Sequence, residues 1–196
     1  MSQTTQAPIM VYTEATPNPE TLKFVTNKVL LQQDSLDFPD EEKAQRSPFA
    51  AELFTFPFVR GVFIANNFVT ITKTEDTDWH EVMPSLRDFI REYAGSGKTI
   101  VEEAYLKELQ AKRQQADADT DDETKIKQLL DKYVRPAVEM DGGAIIFDSY
   151  EDGIVKLQMQ GACSGCPSSM VTLKAGIEGL LKRMMPEIQG VEATEA

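Results

Sequence analysis

The sequence predicts an α+β protein with two small α/β domains joined by a flexible or partly helical linker. Segments with the two-residue period of strands interleave with segments that have the period of helices. A glycine-rich break, Gly95-Ser96-Gly97, ends the first group of elements, and residues 110–119 carry almost nothing apolar to bury. We therefore place an N-terminal domain at residues 1–97, a linker at 98–120 and a C-terminal domain at 121–196. The C-terminal domain is predicted to have the order αββα(β) and a small mixed sheet.

Turn signals organise the predicted N-terminal domain. The segment Thr16-Pro17-Asn18-Pro19 predicts a rigid turn between two strands, and Asn66-Asn67 tolerates the positive φ that a hairpin turn requires. The predicted elements are strands at Met10–Glu14 and Leu22–Leu31, a short helix at Ser47–Phe54, a hairpin at Val59–Lys73 and a helix at Trp79–Tyr93.

The linker divides into two parts. Apolar residues continue at helical spacing through its first half, at Val101, Tyr105, Leu106 and Leu109, which predicts a helix there. The second half, Gln110 to Asp119, has no apolar face, so we expect a mobile tether.

A capped helix opens the C-terminal domain. Thr120 and Glu123 match a capping box, and Asp141-Gly142-Gly143 ends the helix. Pro136 lies inside the pattern, so we expect a kink or a tightened last turn there. The predicted apolar stripe contains Ile126, Leu129, Leu130, Tyr133, Val134, Ala137 and Val138.

A hairpin and a second helix follow. Asp152-Gly153 predicts the turn between strands at Ala144–Tyr150 and Ile154–Gln160. In the second strand apolar residues alternate with Lys156, Gln158 and Gln160, which predicts one buried face and one solvated face that carries these three side chains. Pro167 suits the first position of the next helix, and Pro186 ends it. The helix is expected to bury Leu173, Ile177, Leu180, Leu181 and Met184, and Ile188–Ala193 to add a short strand.

Composition excludes several classes of function. The 196 residues include 32 acidic and 20 basic side chains, a formal charge of −12, and no basic stripe that would attract a nucleic acid. No run of about 18 apolar residues predicts a membrane span, and residues 1–8 lack the features of an export signal. We expect a protein that binds neither nucleic acid nor membrane and works in a reducing cytoplasm.

Cys163 and Cys166 are the only cysteines, and their C-x-x-C spacing suits a shared ligand or electron pair rather than a disulfide framework. Thiol–disulfide exchange, zinc and iron–sulfur clusters all use such a pair. A closed zinc site or a 4Fe–4S cube takes four protein ligands, and the only histidine, His80, lies in the other domain. Two chains with facing cysteine loops can supply four thiolates. A dithiol oxidoreductase and a zinc-bridged dimer stay open as alternatives.

Two groups of motifs lie in the two halves of the chain. The C-terminal group is Arg135-Pro136-Ala137, Met140-Asp141-Gly142-Gly143, Gln160 to Ser169, Thr172-Leu173-Lys174 and Gly176-Ile177-Glu178. The N-terminal group is Thr16-Pro17-Asn18-Pro19, Thr21-Leu22-Lys23-Phe24 and Phe63 to Lys73. The C-terminal group resembles the C-terminal domain of NifU, and the N-terminal group resembles the N-terminal domain of Nfu-type scaffold proteins. Together the likenesses cover most of the chain outside the tether.

The resemblance implies a non-enzymatic iron–sulfur cluster carrier. It maps the cluster ligands of the family onto Cys163 and Cys166, and it implies a 4Fe–4S cluster that bridges two subunits of a homodimer. The expected partners are apo iron–sulfur proteins as recipients and the cluster assembly machinery as donor. A client-docking role is implied for the N-terminal domain, which contains no cysteine.

Several other features have a plain structural interpretation. We expect Asp141-Gly142-Gly143 to be a helix stop rather than a functional loop, and we expect His80 beside Trp79 to be structural or exposed. The Thr16–Pro19 segment fits a rigid turn and a recognition loop equally well. The methionines near the cysteines are expected to fill the core: Met159, Met170, Met184 and Met185.

Overall fold

A computed structural model of the chain describes residues 8–32, 35–114, 120–164 and 167–195, without the side chains of residues 112–114, 167–169 and 195. Within these ranges the predicted fold class is confirmed: helices accompany two separate sheets, one in each half of the chain. The strands are β1 Val11–Ala15, β2 Thr21–Thr26, β3 Ser35–Phe38, β4 Val59–Ala65, β5 Phe68–Lys73, β6 Gly143–Glu151, β7 Ile154–Gly161 and β8 Gly190–Glu195. The helices are α1 Pro48–Phe54, α2 Trp79–Ser96, α3 Glu103–Gln114, α4 Asp121–Leu129, α5 Arg135–Met140 and α6 Pro167–Met184.

The N-terminal sheet is antiparallel, with strand order β1-β2-β5-β4-β3. The predicted hairpin joins β4 to β5, and Asn66 takes a φ of 36° in its turn. The predicted strand at Leu22–Leu31 ends earlier, at Thr26, and the sequence analysis missed the edge strand β3. Helix α2 is longer than predicted, because it runs through Gly95 and Ser96 to the left-handed Gly97.

Helices α1 and α2 cover one face of this sheet, called here the outer face. The Ser47 hydroxyl accepts from the Ala50 amide and caps α1, and Asp78 caps α2 by accepting from the His80 amide. The core between sheet and helices contains fully buried aromatic and aliphatic side chains. Its largest members are Phe24, Phe38, Phe49, Leu53, Ile64, Ile71, Leu86 and Ile90.

The first half of the linker packs on this N-terminal core. Val101 is buried, and Tyr105, Leu106 and Leu109 of α3 lie against the core, so the predicted helix is confirmed. Helix α3 continues to Gln114, which contradicts the expectation of an unstructured tether from residue 110. Residues 115–119, the rest of the expected tether, lie outside the described residues.

The first C-terminal helix begins at the predicted capping box, which Thr120 and Glu123 form in full. The helix is interrupted ahead of Pro136 as expected, but the turn at 130–134 widens into a π-turn instead of tightening. There the Arg135 amide donates to the Leu130 carbonyl, five residues back. This shift accommodates Pro136, which has no amide hydrogen to offer the regular helical pattern. Ile126, Leu130, Val134 and Val138 are buried, whereas Tyr133 and Ala137 of the predicted stripe are exposed.

The C-terminal sheet is small and mixed, as predicted. Strands β6 and β7 pair antiparallel through a turn with positive φ at Asp152 and Gly153, and β8 pairs with β7 in parallel. Helix α6 packs on this sheet through Ile177 and Leu181. Met159 and Met185 fill the core as expected, but Met184 is half exposed, which corrects its predicted burial.

The second face of the N-terminal sheet, called here the inner face, packs against the C-terminal domain. Val25, Phe63, Ala65 and Phe68 form a small apolar cluster with Ala144 at the start of β6. Strands β4 and β5 both approach β7. This contact brings the N-terminal domain next to the cysteine loop.

Candidate cluster-binding site

Cys163 lies just beyond the end of β7, in a tight turn. Its amide donates to the Gln160 carbonyl at 3.4 Å, and the Ser164 amide donates to the Gly161 carbonyl at 3.0 Å. Gly161 adopts a φ of 61°, which turns the chain out of the strand. The second predicted ligand, Cys166, and its neighbour Gly165 lie outside the described residues.

The Gly142-Gly143 pair packs against the cysteine turn. A Cβ atom on Gly143 would lie 2.6 Å from the Cys163 Sγ and 2.6 Å from the Gln160 carbonyl oxygen, so only glycine fits. The Gly142 carbonyl accepts from the Ala162 amide at 3.2 Å. The segment therefore ends α5 as predicted and also touches the cysteine, a contact that the interpretation as a plain helix stop left out.

The Cys163 thiol belongs to the C-terminal core in this conformation. Its side chain is 6% exposed and packs with the buried residues of that domain. Burial, together with the negative charge of Asp141, raises the pKa of Cys163 to about 12. The described conformation therefore holds Cys163 as a thiol, and metal binding requires the sulfur to lose its proton and reach the surface.

Three side chains of the N-terminal domain bind backbone atoms around the cysteine turn. The Asn18 amide group donates to the Ser164 carbonyl at 3.3 Å, and the Thr70 hydroxyl donates to the Gly142 carbonyl at 2.7 Å. The Asp37 carboxylate accepts from the Gly161 amide at 3.4 Å. These residues contact the turn on both sides of Cys163.

Lys23 joins the two domains at the end of α5. Its ammonium donates to the carbonyls of Glu139 and Met140, at 3.1 and 3.2 Å, and pairs with the Glu14 carboxylate at 2.9 Å. Each of the three hydrogens of the Lys23 ammonium thus has an acceptor, and the Lys23 side chain is only 9% exposed. The positive charge also suits the negative end of the helix.

Family models match both halves of the chain. Residues 11–97 match the model described as scaffold protein Nfu/NifU N terminal, and residues 126–192 match the model of the NifU-like domain. A human protein named NFU1 iron-sulfur cluster scaffold homolog, mitochondrial, is 41% identical over 94% of this chain and 71% of its own length. The chain belongs to the Nfu/NifU scaffold family.

Relatives of the same name in flies agree with this assignment. The Drosophila persimilis protein is 44% identical over 94% of this chain, and the chain spans 64% of its length. A solution structure of a NifU-like protein from Saccharomyces cerevisiae covers 53% of this chain and 92% of its own, at 24% identity and a TM-score of 0.45.

Other residues singled out in the sequence have plain roles. His80 is exposed, as expected, and its backbone amide belongs to the cap of α2. The Trp79 indole donates to the Pro19 carbonyl at 3.1 Å, so it holds the Thr16–Pro19 turn in place. In that turn the Asn18 carboxamide oxygen accepts from the Glu20 amide, which leaves its nitrogen free to reach Ser164.

Neither a cluster of metal ligands nor a membrane-spanning helix occurs among the described residues. In the described ranges, no three His, Cys, Asp or Glu side chains gather where they could hold a metal ion. No helix in those parts of the chain combines the length and the apolar character that crossing a bilayer requires.

The sequence does not predict the N-terminal residues of the site. Asn18, Asp37 and Thr70 were not proposed as neighbours of the cysteine loop, and Gln160 was predicted to face solvent. In the structure Gln160 is buried and accepts from the Ser35 hydroxyl at 3.4 Å. The available signal was the apolar character of both faces of β4 and β5, which indicates a sheet covered twice.

Proposed function

We propose that this member of the family is a non-enzymatic carrier that binds a 4Fe–4S cluster between two C-terminal domains and passes it to apo iron–sulfur proteins. Cys163 and Cys166 of each chain would supply the four thiolates. The observation that carries the proposal is the pair of cysteines in the half of the chain that matches the NifU-like domain model. Two sulfur ligands per chain are half the number that such a cluster takes.

Anaerobic reconstitution tests the ligand assignment. With iron and sulfide the purified chain should gain a visible charge-transfer band, with about four irons and four sulfides per pair of chains. Cys163→Ser and Cys166→Ser should each abolish the band and the dimer seen by sizing chromatography. Ser164→Ala, a change within the same turn, is the matched control and should keep both. A normal cluster in either cysteine variant would refute the assignment.

The dithiol alternative makes a different prediction. An oxidoreductase would reduce insulin as a monomer, with the more acidic thiol attacking as a thiolate. A zinc-bridged dimer would be recognised by zinc, rather than iron and sulfide, in protein purified without air.

Recipients, donor and location complete the proposal. We propose that the N-terminal domain docks apo-protein recipients and that the cluster assembly machinery is the donor. A pull-down with the full chain, with and without its cluster, tests both. Although the relatives named above are called mitochondrial, the sequence predicts the cytoplasm for this chain. Cell fractionation with an antibody against the chain decides between these locations.

A further inference from the structure

The inner face of the N-terminal sheet fits closely against the described part of the cysteine loop, residues 161–164, and against the Gly142-Gly143 segment beside it. A Cβ on Gly142 would lie 2.9 Å from the Thr70 hydroxyl, and one on Gly161 would lie 2.8 Å from the Phe63 ring. Both glycines have positive φ, and both are buried. The loop thus presents bare backbone to this face, and side chains of the face fill the space beside it.

The polar contacts across this interface use loop backbone rather than loop side chains. Asn18 donates to the Ser164 carbonyl, Thr70 donates to the Gly142 carbonyl, and Asp37 accepts from the Gly161 amide. Such bonds depend on the path of the loop backbone, not on its sequence. They are therefore sensitive to any movement of the cysteine turn.

Movement of that turn is what exposure of the sulfur requires. The Cys163 side chain is 6% exposed and packed in the C-terminal core, with Gly161 and Ser164 bound on either side of it. Two chains can share a cluster only when their sulfurs reach a common surface. In the described conformation the N-terminal domain lies directly beside that turn.

We infer that the inner face is a binding surface for the cysteine loop of its own chain, which holds the loop in a closed conformation and must release it before two loops can share a cluster. The first half of this inference concerns the cluster-free chain alone. The second half rests on the proposed function.

Paired substitutions separate the interface from general stability. Asn18→Asp keeps the oxygen that accepts from the Glu20 amide but replaces the donor to Ser164 with a negative oxygen. Thr70→Val removes the donor to Gly142 at nearly constant volume. The matched control is Asn27→Asp with Thr13→Val, which makes the same chemical changes inside the N-terminal domain, at bonds to Met10, Pro8 and Met83.

Three measurements on the full cluster-free chain report closure. They are the radius of gyration from X-ray scattering, hydrogen exchange of the Gly161 amide, and the alkylation rate of Cys163 followed by peptide mass spectrometry. A lost hydrogen bond shifts such an equilibrium by about fivefold, so the double variant should speed exchange and alkylation by at least about tenfold. The control double variant should match the wild type.

Two results would overturn the binding surface. One is a wild-type chain that scatters as an extended particle with an unprotected Gly161 amide. The other is a double variant no faster in exchange and alkylation than its control.

The rate of cluster uptake tests whether the inner face must release the cysteine loop before a cluster can bind. In anaerobic reconstitution the opened double variant should load faster than the wild type and the control. Equal loading rates, with opening demonstrated, would overturn the requirement for release and leave the carrier function intact. If none of the proteins loads a cluster, the proposed function fails, while the three measurements on the cluster-free chain still decide whether the surface exists.

Discussion

The two faces of the N-terminal sheet are both buried, but they are buried in different ways. The outer face meets α1 and α2 through apolar side chains such as Phe24, Ile64 and Ile71. The inner face has a smaller apolar cluster, bordered by Lys23, Asp37 and Thr70, which bond to the C-terminal domain. Interfaces between domains are commonly more polar than cores, because their surfaces also exist separated in water. The difference indicates a permanent contact on one side and a separable contact on the other.

Neighbouring residues on β4 give the largest expected contrast. Ile64 points to the outer face and Phe63 to the inner face, and both are fully buried. Ile64→Ala should lower the free energy of unfolding of the N-terminal domain by about 3 kcal/mol. Phe63→Ala should cost less there, because part of the burial of Phe63 comes from Ala144 and Gly161 of the other domain. Chemical denaturation followed by the fluorescence of Trp79, the only tryptophan, measures both. Equal losses would show that the two faces are equivalent.

Gly143→Ala sharpens the comparison from the side of the loop. The new Cβ would lie 2.6 Å from the Cys163 Sγ, so the turn must move at a cost of about 2 kcal/mol to the C-terminal domain. Gly179→Ala in α6, where nothing lies within 4 Å of the new Cβ, is the control and should stabilise the domain by roughly 0.5–1 kcal/mol. Thermal unfolding measures both variants. A neutral Gly143→Ala would mean that the turn is not confined.

Lys23→Met tests the polar border of the inner face. It removes the donors to the Glu139 and Met140 carbonyls while keeping the side-chain stem, and it should weaken closure by about 1.5 kcal/mol. Glu14→Gln removes only the charge of a carboxylate whose side chain is 42% exposed and leaves Lys23 bound to both carbonyls, so it should cost under about 0.5 kcal/mol. Hydrogen exchange of the Gly161 amide measures the effect of each variant on closure. A larger effect of Glu14→Gln would place the stabilisation in the ion pair instead.

The pH dependence of stability gives the smallest expected effect. Burial raises the pKa of Asp37 to about 6, against the opposing influence of the Gly161 amide and Lys43. Since the folded chain binds this proton more tightly than the unfolded chain, the contribution of Asp37 to the free energy of unfolding falls as pH rises from about 4 to 6 and is constant above that range. Between pH 5 and pH 7 the loss should be about 1 kcal/mol. Asp37→Asn should abolish this part of the slope in chemical denaturation at a series of pH values, and an unchanged slope would assign it to another group.

Local patterns predicted the elements well because their signals are local. Thr120 with Glu123, Asp152-Gly153 and the alternation in β7 each specify a cap, a turn or a strand within a few residues. Spacing and ligand number, which depend only on the chain itself, also predict Cys163 and Cys166 as ligands, and that assignment stays a prediction.

Those local patterns do not predict the contact between the domains. Gln160 alternates with buried residues and was therefore predicted to be solvated, but the inner face covers it. Asn18 lies more than 140 residues from the Ser164 carbonyl that it binds. The hydrophobic period of a segment and the residues of its turns do not indicate which distant surface packs on a strand. Only the excess of apolar residues on β4 and β5 hinted at a second covering layer.

The position of α3 limits how far the two halves of the chain can separate. Because the helix packs on the N-terminal core, six peptide links separate its end at Gln114 from the cap of the next helix at Thr120. Six peptide links reach at most about 20 Å. A recipient bound to the N-terminal domain would therefore stay close to the sulfur ligands. Its local concentration at the cluster would be higher than that of the same recipient free in solution.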